Sequence, residues 1–159
     1  MKELRGKLSG RGWRLCGDEP MKITVLTKAC GWLGTDLAEE LERKGLVCEF
    51  ADRDQLVLMP APETDLARLE ELLLSVEVRQ VLEETPPKAC RCQRVCSPRE
   101  AMLAPSEEVP MEKALGRVLA SPSVGCPPAV PIVLCGERVN EKALEAFRYY
   151  GITHCRVMK

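Results

Sequence analysis

The proline-rich stretch from Ser97 to Glu137 is the feature that most constrains the fold, because it contains seven prolines. Each proline fixes φ, lacks a backbone N–H donor and pushes the preceding residue toward an extended conformation. One long helix is therefore excluded here. The stretch also contains the apolar runs Val118–Ala120 and Ile132–Leu134, which disordered linkers lack. We expect residues 97–159 to form a small, folded, proline-rich α+β domain.

The region of residues 21–83 predicts a small layer with the element order β-α-β-β-α. Its first strand is β-branched and alternating, and its other two strands flank the turn residues Ala51–Asp54, which predicts a hairpin. Two runs of leucines at helical spacing each follow a threonine that can cap a helix. The predicted elements are strands at 21–27, 46–50 and 55–59, helices capped by Thr35 and Thr64, and a buried stripe of Leu66, Leu69, Leu73 and Val76. The predicted fold class of the whole chain is α/β (α+β).

Three further segments complete the predicted organisation. Residues 1–20 are polar and rich in glycine, so we expect a weakly ordered N-terminal segment. Residues 84–96 combine a proline pair with mixed charge and no periodicity, which is typical of an interdomain linker. Near the end of the chain, Asn140 can cap a last helix that buries Phe147, and residues 153–157 can form a short edge strand.

The charge balance and the hydropathy pattern exclude several classes of partner. Twenty-three basic and 24 acidic side chains give a net charge of −1, so we expect neither a nucleic acid nor an anionic membrane as the main partner. No apolar run approaches the length of a membrane span. Residues Met1–Gly6 lack the apolar core of a signal peptide, so we expect a cytoplasmic protein.

The nine cysteines include one cluster with the chemistry of metal ligands, formed by Cys90, Cys92 and Cys96. Three thiolates within seven residues can hold a zinc ion, with His154 or Cys155 as a fourth ligand. Their spacing matches no familiar zinc pattern, so we expect a thiol-rich linker and no metal site. Redox sensing by the same thiols is a third interpretation.

Two other patterns admit both a functional and a structural interpretation. Gly31–Thr35 precedes a helix and can cradle an anion, but it lacks the lysine of a phosphate loop, so we expect a tight strand-to-helix turn. His154 is the only histidine and lies near Tyr149 and Tyr150 in sequence, so we expect a packing or surface residue and not a general base. We therefore predict no catalytic residue in this chain.

Four short motifs follow one another in the second half of the chain. They are Ser97-Pro98-Arg99-Glu100-Ala101, Glu112-Lys113-Ala114-Leu115-Gly116-Arg117-Val118, Pro127-Pro128-Ala129-Val130-Pro131 and Gly136-Glu137. Their order and spacing resemble the C-terminal domain of the pyridoxal-phosphate-dependent ornithine/lysine/arginine decarboxylases. Departures from the family pattern are Cys126 in place of a tyrosine, Ala129 in place of a glycine and Cys135 in place of a proline. The first half resembles the small segment that follows the family's cofactor-binding domain, through the strand 22–27, the Gly31–Gly34 turn and the Thr64-Asp65 cap. Together the two halves of the resemblance cover about residues 20–140.

The resemblance implies the non-catalytic C-terminal part of a basic amino acid decarboxylase (a carboxy-lyase), either truncated or a fragment. Such a part would contribute packing, subunit contacts and a substrate-entrance surface. The family-motif surface residues are Pro127, Pro128, Pro131, Gly136 and Glu137. The implied partners are the cofactor domain of the parent enzyme or a second subunit, since the family forms oligomers.

The cofactor lysine of these enzymes follows a histidine, and the only histidine here, His154, precedes Cys155. We therefore expect that this chain binds no pyridoxal phosphate by itself, although the full-length family uses it, and that it is inactive alone. The alternative is a stand-alone, non-catalytic binding or interaction module, with or without a stabilising zinc ion.

Overall fold

The computed structural model describes residues 1–88, 91–121 and 131–159. The chain divides into two compact units, Met1–Glu84 and Thr85–Lys159. Both units combine helices with antiparallel strands, which confirms the predicted mixture of helix and sheet. No described helix has the length and apolar character that crossing a membrane requires.

The first unit contains one four-stranded sheet with the order β1-β2-β4-β3, in which every neighbouring pair is antiparallel. Its elements are α1 (Lys2–Gly10), β1 (Leu15–Cys16), β2 (Ile23–Leu26), α2 (Gly34–Arg43), β3 (Phe50–Ala51), β4 (Gln55–Leu58) and α3 (Leu66–Leu74). The predicted hairpin is present, because Asp52 Oδ1 accepts hydrogen bonds from the backbone amides of Asp54 and Gln55 and closes the turn. Its first strand is shorter than predicted.

The core of the first unit lies between the sheet and the helices. Its fully buried side chains come from the sheet (Ile23, Val25, Leu56) and from the helices (Leu8, Leu37, Leu41, Leu73). These residues recur at intervals of two in the strands and of three or four in the helices, which is why each element presents one apolar face. The order β-α-β-β-α is therefore found within residues 21–83.

The N-terminal segment differs from the prediction of weak order. Helix α1 spans Lys2–Gly10, and its side chains Leu4 and Leu8 are buried against the core that also contains α3. Trp13 is buried as well, and Lys7 Nζ lies 2.9 Å from Glu70 Oε1 of α3. Two glycines lower the intrinsic helix propensity of this segment, but burial of the leucines outweighs that cost.

Two predicted helix caps are also wrong, the first by two residues and the second by one. Helix α2 starts at Gly34 with Leu33 at the N-cap position, so Thr35 lies inside the first turn. Helix α3 is capped by Asp65 and not by Thr64. Asp65 Oδ1 accepts hydrogen bonds from the backbone amides of Ala67 and Arg68. Leu66 is accordingly 39% exposed and does not belong to the buried stripe, whereas the other three predicted residues are buried.

The second unit contains two short antiparallel ladders, β5 with β7 and β6 with β8. Its elements are β5 (Gln93–Arg94), α4 (Pro98–Leu103), β6 (Ser106–Pro110), a 3₁₀ turn (Met111–Ala114), β7 (Glu137–Arg138), α5 (Glu141–Tyr149) and β8 (His154–Met158). The predicted last helix is confirmed, since Asn140 Oδ1 accepts a hydrogen bond from the Ala143 amide. Strand β8 follows it as predicted, but it is not an edge strand, because β6 pairs with one side of it and the segment around Leu119 with the other. Phe147 is fully buried, as predicted.

The extended segment Gly116–Ala120 connects the two ladders. Its Leu119 amide donates to Glu137 O, and the Gly136 amide donates back to Leu119 O, both at 2.9 Å. On the other side, the Met158 amide donates to Val118 O at 2.9 Å. The second unit therefore has a continuous hydrogen-bonded surface from β5 to β6, although only its outer pairs form regular strands.

The predicted linker 84–96 is only partly a linker. The second unit begins at Thr85, and Gln93–Arg94 pairs with Glu137–Arg138 as strand β5. The Val95 and Cys96 amides both donate to Gly136 O, at 2.9 and 3.2 Å. The end of this segment lacks apolar periodicity because its partner strand, and not a buried face, determines its conformation.

Candidate functional site

A cavity of about 410 Å³ lies in the second unit where two of the four motifs meet. Its lining residues are Arg94, Pro98, Met102, Leu134, Cys135 and Glu137. Four of the six are apolar or a thiol, and the remaining two carry opposite charges. Arg94 and Glu137 are partners in the β5–β7 register, so a cation and a carboxylate flank one apolar cavity. This combination favours a small amphipathic or zwitterionic group over a purely apolar one.

The first motif forms one wall of the cavity through the start of α4. Ser97 is the N-cap and Pro98 occupies the first turn, where a proline costs no hydrogen bond. Ser97 Oγ accepts a hydrogen bond from the Glu100 amide at 3.2 Å, and Glu100 Oε2 accepts one from the Ser97 amide at 2.8 Å. This reciprocal capping box explains the spacing of the Ser-Pro-Arg-Glu motif. Hydrogen bonds from Ser97 lower the pKa of the Glu100 carboxyl.

The last motif forms the opposite wall through a tight turn at Gly136. Gly136 has a φ of +87°, and a Cβ placed there would lie 2.5 Å from Cys96 O. Both observations favour glycine, since the left-handed region strains any other residue and the close backbone approach leaves no room for a Cβ. The glycine therefore holds the turn directly against the segment that precedes α4.

Glu137 is held in place by this turn. Its Oε2 accepts a hydrogen bond from the Leu134 amide at 2.9 Å, and its own amide donates to Leu134 O at 3.0 Å. The side chain is partly buried and lines the cavity. The turn itself therefore holds this carboxylate at a fixed position beside the cavity, and no cationic side chain of the turn is bonded to it. It can attract a cationic group of a ligand.

The other predicted surface residues have different outcomes. Pro131 is partly buried at the start of a described range. Pro127 and Pro128 lie outside the described residues, so the role predicted for this crossing remains a prediction. Sequence reasoning missed Arg94, which it placed in a linker, and Met102, which is 54% exposed. The pairing of β5 with β7 is a tertiary contact, and the sequence contained no local signal for it.

The predicted cysteine cluster is only partly described. Cys90 lies outside the described residues, whereas Cys92 and Cys96 are both partly buried. His154 is exposed and Cys155 is buried on opposite faces of β8, so they cannot both turn toward one ion from this strand. Within the described ranges, no three side chains of the metal-ligating types are grouped together. The expectation that these thiols form a linker without a metal site stays a prediction.

The Gly31–Gly34 turn of the first unit has the structure of a close backbone contact. A Cβ at Gly31 would lie 2.6 Å from Gln80 O, and a Cβ at Gly34 would lie 2.2 Å from Asp52 O. Carbonyl oxygens therefore occupy the space beside both glycines, which is unfavourable for an anion. This geometry agrees with the predicted tight turn and explains why glycine is needed at both positions.

An ion-pair cluster around the buried Lys28 of the first unit was not predicted. Lys28 is 7% exposed, and its Nζ lies 3.0 Å from Asp54 Oδ1 and 2.9 Å from Glu84 Oε2. Arg53 Nη2 lies 2.8 Å from the same Glu84 oxygen. Hydrogen bonds from Arg53 and Lys28 lower the pKa of the Glu84 carboxyl. The cluster fastens the end of the first unit to its sheet, and its paired charges give it a structural role.

Comparison with known sequences places the second unit in a defined family. Residues 78–155 match the family described as "Orn/Lys/Arg decarboxylase, C-terminal domain". Over 138 residues, 80% of this chain, the sequence is 28% identical to the "uncharacterized protein YaaO" of Bacillus subtilis. Over 140 residues it is 26% identical to the arginine decarboxylase of the same organism. The chain spans less than a third of the length of these relatives, 28% and 27% respectively.

Solved structures show the same fold. The lysine decarboxylase LdcF of Francisella novicida superimposes on 92% of this chain with a TM-score of 0.62 at 15% sequence identity, and the chain covers 32% of that protein. The constitutive lysine decarboxylase of E. coli superimposes on 89% of the chain with a TM-score of 0.58 at 16% identity, again with 32% of that chain covered. The motif series, the family match and the shared fold agree. This chain belongs to the Orn/Lys/Arg decarboxylase family and is a C-terminal portion of it.

Proposed function

We propose that this chain is the non-catalytic C-terminal part of a pyridoxal-phosphate-dependent basic amino acid decarboxylase. In this role it supplies packing, subunit contacts and part of the surface along which the substrate approaches. The observation that carries the proposal is the cavity at the junction of two family motifs, where the fixed carboxylate of Glu137 faces an apolar wall. Ornithine, lysine and arginine each combine an aliphatic chain with a terminal cation, and these two features match that pair of surfaces.

The residues around this cavity do not fit pyridoxal phosphate itself. None of the described lining residues is a lysine, so no amine is present there to form a Schiff base. We therefore place the cofactor, and every chemical step that depends on it, in another part of the full-length protein.

The partner in this proposal is the cofactor domain of the parent enzyme or a second subunit. The second unit exposes several large apolar side chains near the cavity, which supports a role in packing against protein. These are Val95, Met102, Leu103 and Leu134, which are between 46% and 76% exposed. Isolated apolar side chains are common on protein surfaces, whereas a cluster of them around one cavity favours a surface that packs against protein.

A reconstitution experiment tests the proposal. The Bacillus subtilis arginine decarboxylase would be prepared without the region that this chain matches, and release of carbon dioxide from arginine would be measured with and without the purified chain. We expect no activity from the chain alone and a gain when both polypeptides are present. Glu137→Gln should raise the KM for arginine about threefold to tenfold with kcat unchanged, because it removes only electrostatic attraction.

Glu145→Gln is the matched control, since Glu145 is an exposed glutamate on α5 away from the cavity and should leave KM unchanged. Activity of the chain alone would contradict the non-catalytic role. Absence of both association and activity gain would favour the stand-alone binding module. In that case L-lysine or L-arginine should still shift the amide signals of the cavity residues in an NMR titration.

A further inference from the structure

Two cysteines of the second unit lie on the two sides of one backbone contact. The Cys96 amide donates to Gly136 O at 3.2 Å, and Gly136 directly follows Cys135. From the other side, Cys135 Sγ donates to Pro98 O at 3.6 Å, two residues beyond Cys96. The thiol of Cys135 and the backbone that follows it therefore both contact the short segment from Cys96 to Pro98. This places the two cysteines in adjoining backbone segments, although they are distant in sequence.

The paired strands support the same conclusion. In the β5–β7 ladder Gln93 faces Arg138 and Arg94 faces Glu137. The ladder ends there, and the Val95 and Cys96 amides both donate to Gly136 O, so the segment after β5 stays against the turn that contains Cys135. The nearby Cys96 thiol contributes, after burial, to a raised pKa of Cys135, which agrees with their proximity. Neighbouring backbones joined by hydrogen bonds lie at about the Cα separation over which a disulfide can form.

Both thiols can be reached by a small reagent. Cys135 is only 5% exposed at the level of the residue, but it lines the 410 Å³ cavity. Cys96 is partly buried, and its Sγ lies 3.9 Å from the thioether sulfur of Met158. A small disulfide can therefore approach Cys96 from solvent, and Cys135 can complete the reaction from the cavity.

We propose that Cys96 and Cys135 form a reversible disulfide and constitute a redox modification site beside the cavity. The oxidant is a low-molecular-weight disulfide such as oxidised glutathione. The Cys96 thiolate attacks one of its sulfurs and releases one glutathione thiolate, leaving a mixed disulfide. The Cys135 thiolate then attacks Cys96 Sγ and releases the second glutathione, so two protein thiols are oxidised and one glutathione disulfide is reduced to two thiols.

The bond acts on the cavity through its position. The disulfide joins the segment before α4 to the turn that holds Glu137. These two segments form the walls of the cavity, and in the reduced protein a hydrogen bond and a close backbone contact hold them together. The order of the two steps has a measurable consequence. Since burial raises the pKa of Cys135, the second step slows as the pH falls, and the mixed disulfide on Cys96 accumulates at lower pH.

Peptide mapping of the full chain tests this proposal. The reduced protein would be equilibrated with defined ratios of oxidised to reduced glutathione, quenched with acid and iodoacetamide, and digested with trypsin. We expect the tryptic peptides 95–99 and 118–138 to become linked with a loss of about 2 Da, the mass of two hydrogen atoms. Tandem mass spectrometry must place the link on Cys135 rather than on Cys126, which lies in the same peptide.

Four variants complete the test. Cys96→Ser and Cys135→Ser should abolish the link, whereas Cys92→Ser and Cys126→Ser should leave it unchanged. Circular dichroism checks that each variant is folded, and Cys135→Ala provides a second version if the serine variant is not. The proposal is overturned if Cys96 pairs with another cysteine, or if the link appears only at ratios that also oxidise the chain unfolded in urea.

Discussion

The first unit is organised around one continuous four-stranded sheet, whereas the second joins two short ladders through an irregular segment and several turns. In the first unit the side chains that alternate along β2 and β4 fill one core together with helices close in sequence. In the second, Gly116–Ala120 hydrogen-bonds to β7 on one side and to β8 on the other. Its core, around Phe147, depends on segments that are far apart in the chain.

The difference shows two ways of specifying a structure. Apolar periodicity is a local property, so it is sufficient for the sheet and helices of the first unit. Turns and capping boxes specify the second unit, and each of them constrains only a few residues. The second unit should therefore depend more strongly on single residues such as Gly136 and Asn140. Three predictions test this comparison, in order of decreasing effect.

Substitution of Gly136 should have the largest effect. Gly136→Ala places a Cβ at a φ of +87° and 2.5 Å from Cys96 O, so it should lower the free energy of unfolding by about 2–5 kcal/mol. Gly151→Ala is the matched control, since Gly151 has a φ of +71° but open space around it, and should cost about 1–2 kcal/mol. Urea denaturation measures both. Equal costs would show that the close contact with Cys96 does not constrain the turn.

The helix caps allow a direct comparison between the units. Asn140→Ala and Asp65→Ala each remove a side chain that accepts hydrogen bonds from the first turn of a helix, and each should cost about 1 kcal/mol. Hydrogen exchange of the backbone amides in and around α5 and α3 would show which residues lose protection in each variant. We expect the Asn140 variant to reduce protection beyond α5, because that helix carries Phe147 at the centre of its core. If only the first turn of each helix responds, the two units do not differ in this respect.

The ion pairs of Glu84 should have the smallest effect and a defined pH dependence. The pKa of this carboxyl is lowered from its ordinary value of 4.5 by hydrogen bonds from Arg53 and Lys28. The stability it contributes is therefore complete above that value and is lost as the pH falls through the lowered pKa. Glu84→Gln should destabilise the chain at about pH 7, and the difference from wild type should shrink toward about pH 3.

Glu71→Gln is the control for this measurement, because Glu71 pairs with Arg68 on the exposed surface of α3 and should change little at either pH. The neighbouring Asp52 carboxyl titrates with the opposite sign, since burial raises its pKa. The comparison of Glu84→Gln with wild type removes that contribution, as Asp52 is present in both. A difference that persists unchanged in acid would show that Glu84 acts through packing and not through its charge.

Several elements were predictable from the sequence, and the errors have a common origin. The strand at 21–27, the hairpin and the Asn140 cap follow from spacing and residue type, and the structure confirms them. Helix α1 was missed because its stability comes from burial of Leu4 and Leu8, and its glycines argue locally against a helix. The cap of α3 was assigned to Thr64 in place of Asp65, because adjacent residues with similar side chains satisfy the same rule.

The candidate site divides in the same way. The motifs at Ser97 and Gly136 were visible in the amino-acid order because a capping box and a glycine turn are made by neighbouring residues, and their resemblance to a family indicated the C-terminal part of a decarboxylase. The positions of Arg94 opposite Glu137, of Cys96 beside Cys135 and of Lys28 between two carboxylates emerged only from the folded chain. Each joins residues remote in sequence, and packing and backbone pairing, not local preference, bring such residues together.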